Sequence, residues 1–95
     1  SDLAETHYAM GASYINKAYE MNQKANDIMD VKKYEEAVNE LNKVYTKALP
    51  YMQKAYELNP NDKYTLMSLK ELYYRLKMTK EYEEIKTKLD AMEQK

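Results

Sequence analysis

The side chains able to do chemistry are few in this chain of 95 residues, and their spacing limits what each can do. His7 is the only histidine and there is no cysteine, so nothing can complete a ligand set or a nucleophile pair around it. Its phase with Met10 and Tyr14 gives it a packing place on a helix. The nearby Asp2 and Glu5 suit a helix start, where one caps and the other reaches back. Glu35-Glu36 and Glu83-Glu84 are adjacent carboxylates, the residue type that general acid and base catalysis uses. They fall on polar helix faces among lysines, with nothing apolar to enclose them, and read as solvated charge. Asn59, Asn61 and Asp62 offer oxygen donors as a calcium loop does, but Pro60 interrupts them and the loop's glycine and distant glutamate are missing. A single glycine leaves no phosphate loop, and no serine sits in a nucleophile elbow. The chain is therefore expected to be no enzyme, with no catalytic residue, no cofactor and no metal.

Charged residues make up 33% and hydrophobic ones 44%, with two prolines, which fits a helix-rich folded chain and not a disordered one. The 15 basic side chains interleave with 16 acidic ones for a net charge of −1, so nucleic acid is not an expected partner. Membrane insertion is not expected either, since no apolar run approaches the roughly 20 residues that a spanning helix needs. The chain opens at Ser1 without an initiator methionine or an apolar signal segment, and reads as one domain, residues 1–95, trimmed from something longer. Without cysteine, the composition indicates no compartment.

Periodicity predicts four helices, at about residues 3–28, 31–58, 62–77 and 80–93, and no strand. In the first, Leu3, His7, Met10, Tyr14, Ala18, Met21, Ala25 and Ile28 recur every three or four residues. A turn near Met29-Asp30 follows, with Asp30 as a cap. In the second, Val31, Tyr34, Val38, Leu41, Tyr45, Ala48, Met52 and Ala55 form a heptad seam. Pro50 lies inside it and should kink rather than break it, because the apolar phase continues beyond. Two helices of such length joined by a tight turn must lie antiparallel. Asn59-Pro60-Asn61-Asp62 ends the second helix and caps the third, which carries Leu66, Leu69, Leu72, Tyr73 and Leu76. Thr79 is expected to cap the fourth, with Tyr82, Ile85, Leu89 and Met92 as its stripe. Gly11 costs about 1 kcal/mol in a helix interior relative to alanine, so its presence predicts that another backbone approaches closely. Ala48 and Ala55, seven residues apart, would serve the same purpose.

These residues together resemble the tetratricopeptide repeats, whose unit of about 34 residues pairs two antiparallel helices with small and aromatic residues at fixed places. Leu66, Leu69 and Tyr73 match the bulky positions of the family's first helix, Tyr82 and Ile85 those opening its second, and Pro60 the closing proline. Met10-Gly11 followed by Tyr14 resembles the Leu-Gly-x-x-Tyr core, and Ala48, Met52 and Ala55 match the end of the second helix. Lys70 departs from the family, which has a small residue there. The stretch between Tyr14 and Ala48 exceeds the family spacing, as though both helices of the first unit had grown by about three turns. The resemblance implies an all-α array of antiparallel helical hairpins, unit 1 over about 1–60 and unit 2 over about 61–95, similar to the C-terminal repeats of larger bacterial proteins. An up-down four-helix bundle is the alternative, separable by whether the third and fourth helices lie along the whole first hairpin or only its base.

The resemblance also implies an inner face made by the first helix of each unit. That face would hold Glu5, Tyr8, Ala12, Ile15 and Asn16, then Tyr64, Met67, Glu71, Tyr74 and Arg75. Tyrosine, methionine and arginine anchor interfaces. The expected function is thus a protein-interaction or scaffolding module that binds a protein or peptide through Tyr8, Asn16, Tyr64, Met67, Glu71, Tyr74 and Arg75. Tyr8 and Ala12 stand where some relatives keep a lysine and asparagine clamp for a C-terminal carboxylate, so that mode is not expected. Of the 11 tyrosines, Tyr14, Tyr34, Tyr45, Tyr73 and Tyr82 are in phase with the stripes and are expected to fill helix seams. The alternative function is structural, as the C-terminal cap of a longer solenoid or a homodimer built through the long hairpin.

Overall fold

In the computed structural model, residues 2–94 are described. They form α1 (Asp2–Ala25), α2 (Val31–Leu58), α3 (Lys63–Arg75) and α4 (Thr79–Glu93). Helix makes up 86% of the described residues, and no strand occurs among them. The four predicted helices are present, arranged as antiparallel hairpins.

The capping chemistry explains most of the boundaries. Asp30 stands at the N-cap of α2 and its carboxylate accepts from the Lys33 amide at 2.9 Å. Asp62 does the same for α3, accepting from the Thr65 amide at 3.2 Å and the Thr65 hydroxyl at 2.7 Å. Each satisfies a donor that the first helical turn leaves without a partner. Three expectations about termini are corrected. Helix α1 ends at Ala25, where the Asn26 and Ile28 amides turn back onto the Asn22 and Ala25 carbonyls, so Ile28 belongs to the turn. It is already under way at Asp2, which leaves Asp2 and Glu5 as first-turn acids that favour the helix dipole rather than a capping box. Thr79 is the first residue of α4 and does not cap it; Met78 occupies the N-cap with no side-chain bond.

Met78 is held there by the end of α3. The Met78 amide donates to the Tyr73 carbonyl at 2.8 Å and the Lys77 amide to the Tyr74 carbonyl at 3.2 Å, a pair of bonds that closes a helix through a left-handed residue. That residue is Lys77, at φ 58°, a position where glycine is usual. Lys77→Gly should therefore raise stability by about 0.5–1 kcal/mol, measured as a shift in the urea midpoint at unchanged m-value.

Within the α1–α2 hairpin the buried residues differ in phase from the predicted stripe. Ala4, Gly11, Ile15, Ala18 and Ala25 are buried on α1, whereas Leu3 and Met10 are exposed at 53% and 43%. The cause is the approach of α2. A Cβ added at Gly11 would lie 2.8 Å from the Met52 terminal methyl, 3.3 Å from the Met52 backbone nitrogen and 3.4 Å from the Ala48 carbonyl oxygen. Small residues every seventh position let the two backbones close, and the large apolar residues that set the sequence pattern are displaced to the flank. There Tyr14 stacks on Tyr51 at 5.7 Å between ring centres, and His7 sits 6.5 Å from the same ring. The His7 Nδ1 donates to the Leu3 carbonyl at 2.9 Å, within its own helix.

Helix α2 runs through Pro50 without interruption and buries Leu41, Tyr45, Ala48, Met52 and Ala55. Its first turns are not buried: Val31 is 71% and Tyr34 40% exposed, a correction to the expected seam, which closes only from Leu41 onward. The reason is the shortness of the second hairpin. Helix α3 packs on α2 and α4 on α3. The bonds that tie them down, Gln53 to the Tyr73 hydroxyl and Lys88 to the Tyr56 hydroxyl, both at 3.2 Å, fall on the C-terminal half of α2. The second hairpin thus covers the base of the first, and the tip around Met29, 97% exposed, stands clear of it. One core joins all four helices, with Leu66, Leu69 and Leu72 of α3 wholly buried at its centre and Ile85 and Leu89 of α4 closing it.

Candidate docking face and the arginine junction

Helix α3 divides its side chains sharply. Leu66, Leu69 and Leu72 point into the core, which turns Tyr64, Met67, Glu71 and Tyr74 to the opposite side as an outer ridge. Tyr64 and Tyr74 are each 66% exposed and Met67 46%. Grooves lie along this ridge. Toward the N-terminus of α1, a groove of about 360 Å³ is lined by Tyr8 and Tyr64 together with Glu5, Asn59 and Asp62. A second, of about 330 Å³, runs between Ile15 and Tyr19 of α1 and Met67, Ser68 and Glu71 of α3. On the far side of the same Met67 and Glu71, a groove of about 450 Å³ opens toward Tyr82, Leu89 and Glu93 of α4.

The structure therefore brings Tyr8 and Tyr64 together and makes Met67 and Glu71 the crest between two grooves. Tyr74 faces α4, its ring 5.8 Å from that of Tyr82. Asn16 is exposed and does not belong to the lining of these grooves. Of the further positions assigned to the inner face, Ile15 is buried instead, because the approach of α2 rotates α1 toward its small-residue side.

Arg75 is turned inward. Its Nε donates to the Glu71 carboxylate at 2.7 Å, and its guanidinium carbon lies 5.6 Å from the Tyr19 ring centre and 5.5 Å from that of Tyr45. The two rings meet edge to face at 6.2 Å, and the Tyr19 hydroxyl donates to the same Glu71 oxygen at 3.4 Å. One residue from α1, one from α2 and two from α3 thus lock the second hairpin to the first. The charge-assisted bond to Glu71 raises the Arg75 guanidinium above its ordinary pKa. Burial, then the Glu71 charge, pushes the Tyr19 hydroxyl up; burial pushes the Tyr45 hydroxyl up as well, against the pull of Arg75. The Tyr45 hydroxyl is buried and has no hydrogen-bond partner among the described residues. The sequence places Arg75 and Glu71 on an exposed inner face and gives no sign of Tyr19 beside them. The available signal was the i, i+4 spacing of Glu71 and Arg75, which favours an ion pair along the helix.

Among the described residues no group of three or more histidines and acids is placed to hold a metal ion. Glu35, Glu36, Glu83 and Glu84 are exposed, and among the described residues no helix is long and apolar enough to cross a membrane. Comparison of the chain with protein-family models, with curated proteins and with solved structures gives no match.

Proposed function

We propose that this chain is a non-enzymatic protein-interaction module, a tetratricopeptide-like array that docks an extended peptide or a helix of a partner along the α3 ridge. The observation that carries this reading is the ridge itself, on which Tyr64, Met67 and Tyr74 stay exposed while the leucines between them are fully buried. Large side chains of these types, flanked by grooves, are what anchor a partner. Tyr8 supplies the second wall at the N-terminal end, and Glu71, held by Arg75, fixes a charge at the crest. Changing Tyr64 and Tyr74 together to alanine should cost about 2 kcal/mol each in binding. Affinity capture from cell extract, quantified by mass spectrometry, should then lose its bound proteins while far-ultraviolet circular dichroism stays the same. Retained capture would discard the ridge as the docking face.

A second reading, assembly of two copies through the long hairpin, rests on a different observation, the exposed Met29, Val31 and Tyr34 at its tip. Light scattering separates the two. A mass that doubles with concentration, and returns to that of one chain in Val31→Glu, supports assembly; a concentration-independent single chain supports the docking module.

A further inference from the structure

Where α3 ends against the overhanging part of α2, a separate groove of about 440 Å³ is lined by Asn22, Tyr34, Asn42, Tyr45, Arg75 and Lys77. Its polar chemistry is one-sided. Two cations and two carboxamides line it, and no carboxylate does. Glu71 is bonded to Nε and the guanidinium packs on the Tyr19 and Tyr45 rings, but its remaining N–H groups, the Lys77 ammonium and the side-chain amides of Asn22 and Asn42 have no hydrogen-bond partner among the described residues. Tyr45 adds the buried hydroxyl without a partner. Val38, Leu41 and the ring of Tyr74 give the groove apolar walls beside these donors. Lys77 is fixed here by its left-handed backbone, which ends α3 at this point and turns the chain back toward α4.

We infer that this groove binds an acidic peptide segment, taking a glutamate or aspartate carboxylate between Arg75 and Lys77 and its apolar neighbour against Val38 and Leu41. A guanidinium with free N–H groups beside an ammonium matches the geometry and charge of a carboxylate, and the asparagine amides can donate to the same oxygens or to the peptide carbonyls. The groove shares Tyr74 with the α3 ridge but takes its charge from Arg75 and Lys77, so Lys77→Asn tests it apart from the docking reading above.

The test is an NMR titration of the intact chain with a short capped peptide of alternating glutamate and leucine, beside its twin with glutamine and beside inorganic phosphate alone. The glutamate peptide should move the side-chain amide signals of Asn22 and Asn42, the Arg75 Nε–H and the Lys77 amide, and the glutamine twin should not. Lys77→Asn keeps a residue that tolerates the left-handed backbone and removes the charge. It should weaken binding about three- to fivefold, and raising the salt from about 0.02 M to about 0.3 M should weaken binding by the parent chain as well, as screening of an exposed charge requires. Equal shifts from the glutamine twin, shifts confined to Tyr8 and Tyr64, unchanged affinity in Lys77→Asn, or no shifts with any peptide would overturn the assignment. So would phosphate reproducing the shifts at the same affinity, which would mark an adventitious ion only.

Discussion

Gly11→Leu should lower the melting temperature by roughly 10 °C. The physical reason is the distance between backbones at that point, where even a single added carbon would meet the Met52 nitrogen at 3.3 Å and the Ala48 carbonyl oxygen at 3.4 Å. The Met52 methyl at 2.8 Å can swing aside, but the backbone of α2 cannot without parting the hairpin. Overpacking of this kind costs about 3 kcal/mol, and the better helix propensity of leucine returns about 1, leaving a net loss near 2 kcal/mol. A domain of this size loses roughly 4–8 °C per kcal/mol. Gly11→Ala is the control, since its propensity gain of about 1 kcal/mol opposes a clash that a shift of the Met52 methyl largely relieves. Its melting temperature should stay within a few degrees of the parent on the same scale. An unchanged melting temperature in Gly11→Leu would contradict the close approach.

Tyr45 should give opposite signs with two substitutions. Tyr45→Ala removes a wholly buried ring that touches Tyr19 and carries Arg75, and should cost about 3–5 kcal/mol through the cavity it leaves. Tyr45→Phe keeps the ring and deletes only the hydroxyl, which is buried without a partner. Removing an unsatisfied polar atom takes away its desolvation penalty, so this variant should be more stable than the parent by about 1 kcal/mol in urea unfolding. The pH dependence follows with its own sign. The folded Tyr45 hydroxyl titrates above its ordinary value of 10.0. Above about pH 10 the unfolded chain therefore releases this proton while the folded one retains it, and stability falls as pH rises toward the folded value. The same holds for Tyr19, whose hydroxyl is also raised. Tyr45→Phe should flatten the alkaline decline in part, and Tyr19→Phe combined with it should flatten it further. A steeper decline in either variant would contradict the burial assigned to these hydroxyls.

Much of the fold was legible in the residues because capping and breaking are local. Asp30 and Asp62 each bond an amide three residues on, and that information needs no tertiary structure. Gly11 was legible for a related reason, being costly in a helix unless something demands it. The phase of α1 was not. Leu3, Met10 and Tyr14 repeat at helical spacing as clearly as Ala4, Gly11 and Ala18, and hydrophobicity weights the large side chains, whereas a close backbone approach selects the small ones. The exposed seam at Val31 and Tyr34 was hidden because its phase is right and only the length of the partner hairpin leaves it uncovered. On the candidate ridge, Tyr64, Met67 and Tyr74 were singled out by the resemblance to a helical repeat, which assigns them to one face of the third helix, and all three are exposed on α3. The inward turn of Arg75 depends on Tyr19 and Tyr45, which lie on two other helices and are brought to it only by the fold.

The central claim is that α1 and α3 are held at fixed places on α2, so that the ridge and its grooves are built rather than transient. The most direct measurement is a nuclear Overhauser spectrum of the native chain. Cross-peaks between the Gly11 α-protons and the Met52 methyl, and between the Tyr19 ring and the Arg75 side chain, are the predicted result. A folded, helical chain in which either pair gives no cross-peak would contradict the account.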